Sequence, residues 1–491
     1  MYHLNISILL CVILTVIVVW LIAHLLKIYR HLNEFPTNPF VPIFGHVFDY
    51  VNPHKTLITL TDNLYEYGGT IRQYLGPKKP SLITANKNFL QFLCNNNKYI
   101  CKSVFYKFLK PWLGEGLVTS DGQKWLSRRR ALTSCFTQST VLKDFVGVFD
   151  EKSESLIGSL SIKGEGSINL HPIMKQLTLD IICETAMGVS RNPQESSKDG
   201  IYSSSIETLC EVIQNRMTSA WKIHDFCFRF SRDYFREKSA LAVVDGMFDL
   251  IVQKKLEKTS VKGEKKTMLD LLMEITIDGK PLSRDDLREE INTFMFAGYD
   301  TTSTAMSLAV YEIARHPDVQ AKLYEEQRTI FSKGDVQVSY EKLEKMSYLQ
   351  MVILETLRLH TIISFIGKRV KKDLFYDGKK IPALLNIVVF IHGFHHNSDY
   401  FPNPYEFTPE RFSSKNKIDE FTYMPFGVKP RQCLGKNFAM LEMKCVLSKI
   451  IRNFEVMEVP ERPLKLEPKL VLFSSSGIWI SVKKRAKWLE R

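Results

Sequence analysis

From about Arg284 to Arg315 the sequence keeps a helical pattern without a break, and no other feature limits the fold as strongly. A helix of that length runs about 48 Å, enough to cross a whole domain. Ser283, with Asp286 three residues on, has the form of a capping box. His316-Pro317 closes the helix, because a residue before proline avoids the α region. Its middle reads Phe296-Ala297-Gly298-Tyr299-Asp300-Thr301-Thr302. Glycine inside a helix costs about 1 kcal/mol relative to alanine, and Asp and Thr favour non-helical hydrogen bonds. Two readings of this weak spot stand side by side: a local opening of the helix, or a polar patch facing solvent.

The rest of the pattern is mostly helical. Short β-branched runs such as Asn386-Ile387-Val388-Val389-Phe390-Ile391 suit strands. Ser190 to Ser205 and the lysine-dense Lys254 to Lys266 read as surface loops. A further apolar helix is expected from about Lys436 to Ile451. No internal repeat is evident. Residues 46–491 read as one domain, mainly α with a small β component.

The formal charge of +13 suits nucleic acid, anionic lipid or an acidic protein partner, or simply a scattered, solvated surface. No Arg/Lys tract of nucleic-acid type stands out, so nucleic acid is not expected as a partner. The nine cysteines, at 11, 94, 101, 135, 183, 210, 227, 433 and 445, are odd in number and irregular in spacing. They contain no CxxC pair and form no disulfide framework. A reducing compartment fits them best.

The run from Ile6 to Leu26 is apolar and carries no formal charge apart from a mostly neutral His24. As a helix it spans roughly 30 Å, one hydrocarbon core. A cleaved signal peptide would show a basic start, a shorter apolar core and a small-residue cleavage site. None of these is evident, and a buried core helix is the remaining alternative. Lys27 and Arg30 follow the run, while the first five residues hold no Lys or Arg. By the positive-inside rule the body then lies in the cytosol. Residues 1–30 are thus expected to be a single-pass anchor in the bilayer of the endoplasmic reticulum. Residues 31–45 form a linker stiffened by Pro36, Pro39 and Pro42.

The chemistry sits near the carboxyl end, in Phe426-Gly427-Val428-Lys429-Pro430-Arg431-Gln432-Cys433-Leu434-Gly435. A cysteine just before a helix amino terminus feels the positive end of the dipole, which favours thiolate. Thiolate binds haem iron and promotes O–O cleavage. Gly435 lets the backbone approach a flat ligand, and Arg431 suits a haem propionate. Most isolated cysteines, by contrast, are inert and buried.

With its neighbours this segment resembles the cytochrome P-450 family. That family's cysteine loop, Phe-x-x-Gly-x-Arg-x-Cys-x-Gly, is matched at Phe426, Arg431, Cys433 and Gly435. Four more family motifs follow in the family's order: Trp125 with Arg129, Ala297 to Thr302, Glu355 with Arg358, and Pro409-Glu410-Arg411-Phe412. The resemblance covers roughly residues 36–485. The phrases around Trp125 and Phe438 look closest to the animal fatty-acid-hydroxylase branch, particularly its insect members.

The resemblance implies a fold that holds haem between the long central helix and the cysteine loop. It implies Cys433 as axial ligand of the iron, with Trp125, Arg129, Arg431 and Lys368 near the propionates and Ala297 beside the haem. Arg369 is adjacent to Lys368. Asp300 and Thr301 are implied in proton delivery. Glu355 and Arg358 share a helix face and are implied to meet Arg411. Ile362, Ile363 and Phe365 fall where the family lines its substrate pocket, though without the usual prolines. Lys429 stands where the family has glycine, and a left-handed turn there would cost about 1–2 kcal/mol. Ala297 cannot form the haem ester that a glutamate at this position forms in the fatty-acid branch, so non-covalent haem b is expected.

The function these readings imply is an NADPH-dependent monooxygenase acting on an apolar small molecule. A separate flavoprotein reductase would supply the electrons, since no flavin or nicotinamide fingerprint is visible. A cytochrome b-type donor is a further partner. Lys429, Lys436 and Lys444 would face the acidic reductase. Alternatives are a haem-binding protein without turnover and a reductase-independent isomerase of peroxides.

Overall fold

The computed structural model describes residues 12–486, apart from 14, 17, 24–25, 27, 29, 31, 77–79, 138, 164–165, 190–195, 220, 258–266, 278 and 332–335. The chain divides into two units, Met1–Val104 with Phe365–Gly393 and Phe105–Ser364 with Phe394–Arg491. Much of the run from Ile6 to Leu26 lies outside the described residues. Its described part is helical, with Val16, Val19 and Trp20 exposed. Among the described residues no helix is long and apolar enough to cross a membrane.

The first unit is built on a sheet of β1 (Thr70–Gln73), β2 (Ser81–Thr84), β3 (Ile100–Lys102), β4 (Phe365–Val370) and β5 (Asn386–Phe390). The order is β1-β2-β5-β4-β3, and only the β2–β5 pair is parallel. The strand expected at residues 386–391 is β5; Ile391 already opens a short helix. The prolines after Phe35 hold their segment against this sheet. Arg72 N–H donates to the Pro36 carbonyl at 2.9 Å, and Thr37 Oγ1 donates to the Arg72 carbonyl at 2.9 Å. His46 is buried and its Nδ1 accepts from Tyr74 N–H at 3.0 Å. Burial holds that imidazole below its usual range, so it stays neutral.

The second unit is mainly helical. In chain order it contains α1 (Gly122–Thr137), α2 (Ser139–Lys163), α3 (Leu170–Met187), α4 (Ser196–Thr218) and α5 (Arg232–Glu257). There follow α6 (Arg284–Arg315), α7 (Ser347–Leu359) and α8 (Lys436–Asn453). Ser167–Asn169, Phe454–Glu458 and Trp479–Lys484 add a three-stranded sheet. The helix α6 is the spine: α3, α7 and α8 all pack on it, and α2 packs on α8. It is buried nearly all round from Glu290 to Ala314, as a helix through the centre of a domain must be. Both halves of the Ser283–Asp286 capping box form, and the helix stops before Pro317.

Two loop expectations are corrected. The polar stretch from Ser190 is already helical at Ser196, and that to Lys266 is helical as far as Glu257. Tyr202 and Ile206 explain the first case. Both are almost fully buried, and the Tyr202 ring meets Tyr299 edge-on at 6.5 Å. Packing of one apolar face outweighs the poor propensity of the serines around it.

The expected opening in α6 is also absent, because the helix is continuous through Gly298. Gly298 has a different reason to be glycine. A Cβ there would lie 2.8 Å from Ile182 Cδ1 on α3. Close approach is reinforced one residue on, where Thr178 Oγ1 donates to the Tyr299 carbonyl at 2.9 Å. Gly298→Ala alone should therefore cost about 1–2 kcal/mol, as overpacking does. In an Ile182→Val background it should become neutral, or stabilising by up to about 1 kcal/mol through helix propensity. Urea midpoints of the four proteins decide it. Strictly additive effects would mean that Ile182 does not require the glycine.

Candidate functional site

The cysteine loop is closed by Cys433 N–H donating to the Phe426 carbonyl at 2.8 Å. Its left-handed residue is Gly427, at φ 71°. Lys429 lies outside the left-handed region, so the strain expected there does not arise. Gly435 caps α8. A Cβ on Gly435 would meet nothing nearer than the Phe136 ring at 4.0 Å, so the backbone here borders open space.

Cys433 is exposed as a residue, yet enough protein surrounds it for burial to dominate its proton affinity. The two facts agree if its thiol opens onto a space enclosed by protein. Burial pushes the thiol up, while the Gly435 N–H, Arg129 and Lys436 pull it down. Cys445, on α8, is fully buried and pushed up to about 12 by burial.

Three expected haem-side residues gather on and beside α1. Trp125 is buried, and the Arg431 guanidinium stacks on it at 3.8 Å. Arg431 also donates to the Ser120 carbonyl at 2.9 Å and to the Asp121 carboxylate. Its charge is thus balanced within the protein, which the motif did not foretell. Arg129 differs. It is half-buried and near Cys433, and its guanidinium makes no hydrogen bond to another described residue. Lys368 lies in the first unit, on β4, in register with Ile387 and Lys102. Phe365 is in the same unit, stacked on Phe390 at 5.0 Å. Ile362 is buried and Ile363 half-buried, both in the second unit.

In the middle of α6 the hydroxyls satisfy backbone carbonyls one turn back. Thr301 Oγ1 donates to Ala297 at 2.6 Å, Thr302 Oγ1 to Gly298 at 2.5 Å, and Thr304 Oγ1 to Asp300 at 2.8 Å. Asp300 is buried and pairs with Lys175 of α3 at 3.4 Å. Lys175 reaches on to Glu207 of α4 at 2.6 Å, and Glu207 is half in solvent. Burial raises the Asp300 carboxyl above its ordinary value despite Lys175. Burial also opposes the Lys175 cation, but the carboxylates of Asp300 and Glu207 beside it outweigh burial. No motif pointed to Lys175 or Glu207. The available signal was a lone lysine among apolar residues, in Pro172-Ile173-Met174-Lys175-Gln176-Leu177.

Glu355, Arg358 and Arg411 do meet. Arg358 grips the Glu355 carboxylate with two bonds of 2.8 and 2.9 Å, and Arg411 Nε reaches it at 3.0 Å. Lys429 and Lys436 are exposed. Lys444 is not, contrary to expectation. It is buried, donates to the Leu343 carbonyl at 3.0 Å, and burial lowers its proton affinity.

The chain matches the family model described as Cytochrome P450 over residues 35–481. It is 33% identical over 473 residues to cytochrome P450 4d2 of Drosophila melanogaster, spanning 91% of this chain and 93% of that protein. It is 33% identical over 467 residues to human cytochrome P450 4V2, spanning 90% and 88%. With cytochrome P450 4e2 of Drosophila melanogaster the identity is 35% over 448 residues, spanning 87% and 84%. The chain belongs to the cytochrome P450 family. It is a P450 monooxygenase, and insect members of the P450 4 group are among its relatives. The family implies a haem iron with a thiolate ligand. The residues present fit that group: an exposed cysteine whose proton affinity is set by the protein around it, and near it a half-buried guanidinium with no acidic partner among the described residues.

Proposed function

We propose that this protein is a membrane-anchored monooxygenase that hydroxylates an apolar small molecule (a lipid, a hormone or a foreign compound) with electrons from a separate NADPH-dependent flavoprotein reductase. The observation that carries the reading is Cys433, exposed just ahead of α8 and flanked by the cations Arg129 and Lys436. Cys433 would supply the thiolate that holds the haem iron. Arg129 would hold a haem carboxylate, with Trp125 and the Arg431 stacked on it beside that guanidinium. Bound haem supplies the reductive activation of O₂ and the transfer of one oxygen atom to carbon.

The chain's own part in the chemistry is to deliver protons. Glu207, Lys175 and Asp300 form a line of charged groups from the surface to the centre of α6. Burial raises the proton affinity of the Asp300 carboxyl above that of a surface aspartate, so it takes up a proton more readily on the way to Thr301. Thr301, next in sequence, presents the hydroxyl that hands the proton on. In the structure it donates to Ala297, so delivery requires that hydroxyl to turn. Exposed Lys429 and Lys436 offer positive charge to an acidic reductase surface. The run from Ile6 to Leu26 is the anchor, with the body on the cytosolic side of the endoplasmic reticulum.

Reduced protein with carbon monoxide should show the far-red-shifted Soret band of thiolate ligation. Cys433→Ser should lose the band and Cys445→Ser keep it; the reverse pattern would put the ligand on the wrong cysteine.

With reductase and a substrate, Thr301→Ala should keep NADPH oxidation within a modest factor and divert product to hydrogen peroxide. Asp300→Asn should slow turnover by about 100-fold, the low end for a positioned proton donor. An unchanged product-to-peroxide ratio in Thr301→Ala would exclude that hydroxyl from proton delivery. Turnover without NADPH would point instead to isomerisation of peroxides.

The intact chain should stay with membranes through a high-salt wash, and a chain lacking residues 1–30 should be released. Full solubility of the intact chain would refute the anchor.

A further inference from the structure

We infer that Arg128 and Glu290 are positioning residues: they form a clasp between α1 and the first turns of α6 that sets where Arg129 and Trp125 stand, and its grip depends on the proton on Glu290. The inference rests on the reading that Arg129 holds a haem carboxylate.

Consecutive helix residues point about 100° apart. Accordingly α1 shows Arg129 to Cys433 and Arg128 to α6. Arg128 is only 2% exposed. Its Nη1 lies 2.8 Å from both Glu289 and Glu290, and its Nη2 meets Asp286. Lys124, one turn earlier on α1, reaches Glu289 at 3.4 Å and Asp286 at 3.9 Å. Two cations of one helix thus hold three carboxylates of another.

The turn before α1 is drawn into the same knot. Arg128 donates to the Glu115 carbonyl at 2.8 Å. Glu115 N–H donates to Glu289 at 2.9 Å, and Leu117 N–H to Glu290 at 3.1 Å. Between them Gly116 leaves no slack. A Cβ there would lie 2.4 Å from Thr293 Oγ1 and 2.7 Å from the Glu289 carbonyl. A shift of Arg128 therefore moves α1, and Arg129 and Trp125 move with it.

Glu290 is the most deeply buried of the three carboxylates in the clasp. Burial pushes its carboxyl up to about 7, and the charge of Glu289 adds to this, against the pull of Arg128 and the Leu117 N–H. The other charges at the clasp are Asp286, Lys124 and Glu115, and Glu115 is also paired with Lys110. Arg284 and Arg288 of α6 pair instead with Asp249 and Asp245 of α5. The closed clasp binds the proton more tightly than an open one, whose carboxyl would titrate near the ordinary value of about 4.3. Stability from the proton is therefore full at low pH. It declines as pH rises from about 4 to 7 and is spent above that.

Haem loss from the ferric holoprotein to excess apomyoglobin reads the clasp without reference to activity. Cysteine protonation also changes haem loss with pH, so Glu290→Gln serves as the reference. The ratio of the wild-type rate to the Glu290→Gln rate should rise several-fold between pH 5.5 and 7.5 and then level. Arg128→Lys, which keeps the charge but loses the fork, should lose haem several-fold faster at pH 7.5 while its helical circular dichroism is retained. Arg129→Ala should lose haem faster at every pH. If Arg129→Ala matches wild type, the carboxylate reading falls and the inference with it. If Arg129→Ala is faster but the ratio stays flat and Arg128→Lys matches wild type, the clasp is overturned and the carboxylate reading stands.

Discussion

The second unit is organised around one buried guanidinium. Arg358 is fully buried, and every N–H it carries finds an acceptor. Two bonds go to Glu355, and the others to the carbonyls of His395, Pro404 and Glu406, at 2.6 to 3.0 Å. A buried ion pair gains little net stability, because desolvation offsets most of the attraction. What it does here is specify. Lysine has three donors from a single point and cannot match five directions in one plane. The arginine therefore dictates the path of the chain from His395 to Arg411.

That path leads directly to the cysteine loop. Nε2 of His395 accepts from Met424 N–H at 3.0 Å, and its Nδ1 lies 3.0 Å from Thr361 Oγ1. Burial keeps this imidazole far below its usual range, so it is neutral and Nδ1 carries the proton. Tyr423 then ties the loop back to α7 through the Leu354 carbonyl at 2.7 Å. The position of Cys433 is thus inherited, bond by bond, from Arg358. Helix α6, which packs on the α8 that follows the loop, keeps its backbone intact while its threonines donate to carbonyls of their own helix. Such back-bonding by Ser and Thr slightly destabilises and often bends a helix. It also puts hydroxyls at the middle of a buried spine, where reorienting one breaks no backbone bond.

Much of this was legible in the sequence. Helix α6 was readable to its ends, because caps and proline act locally. The meeting of Glu355, Arg358 and Arg411 came from motif resemblance, since spacing alone pairs only the first two. Other expectations failed for one shared reason: they assigned a residue's role from its own propensity. Gly298 reads as a weak point in a helix until Ile182 is seen against it. Lys444 reads as a surface cation until Leu343 is found to accept from it. The serines after Ser196 read as loop until Tyr202 is buried.

By itself the sequence determined the long central helix, its caps, the cysteine loop ahead of α8 and the family to which all of these belong. Each depends on residues close together in the chain, where covalent spacing fixes geometry. Only the tertiary structure decided that Arg431 is balanced by Asp121 while Arg129 makes no such pair among the described residues, that Asp300 reaches Glu207 through Lys175, and that Arg128 gathers three carboxylates. The residues in these contacts are as much as 310 positions apart. Electrostatic partners at such separations are chosen by how helices pack, and no local pattern in the chain records that choice.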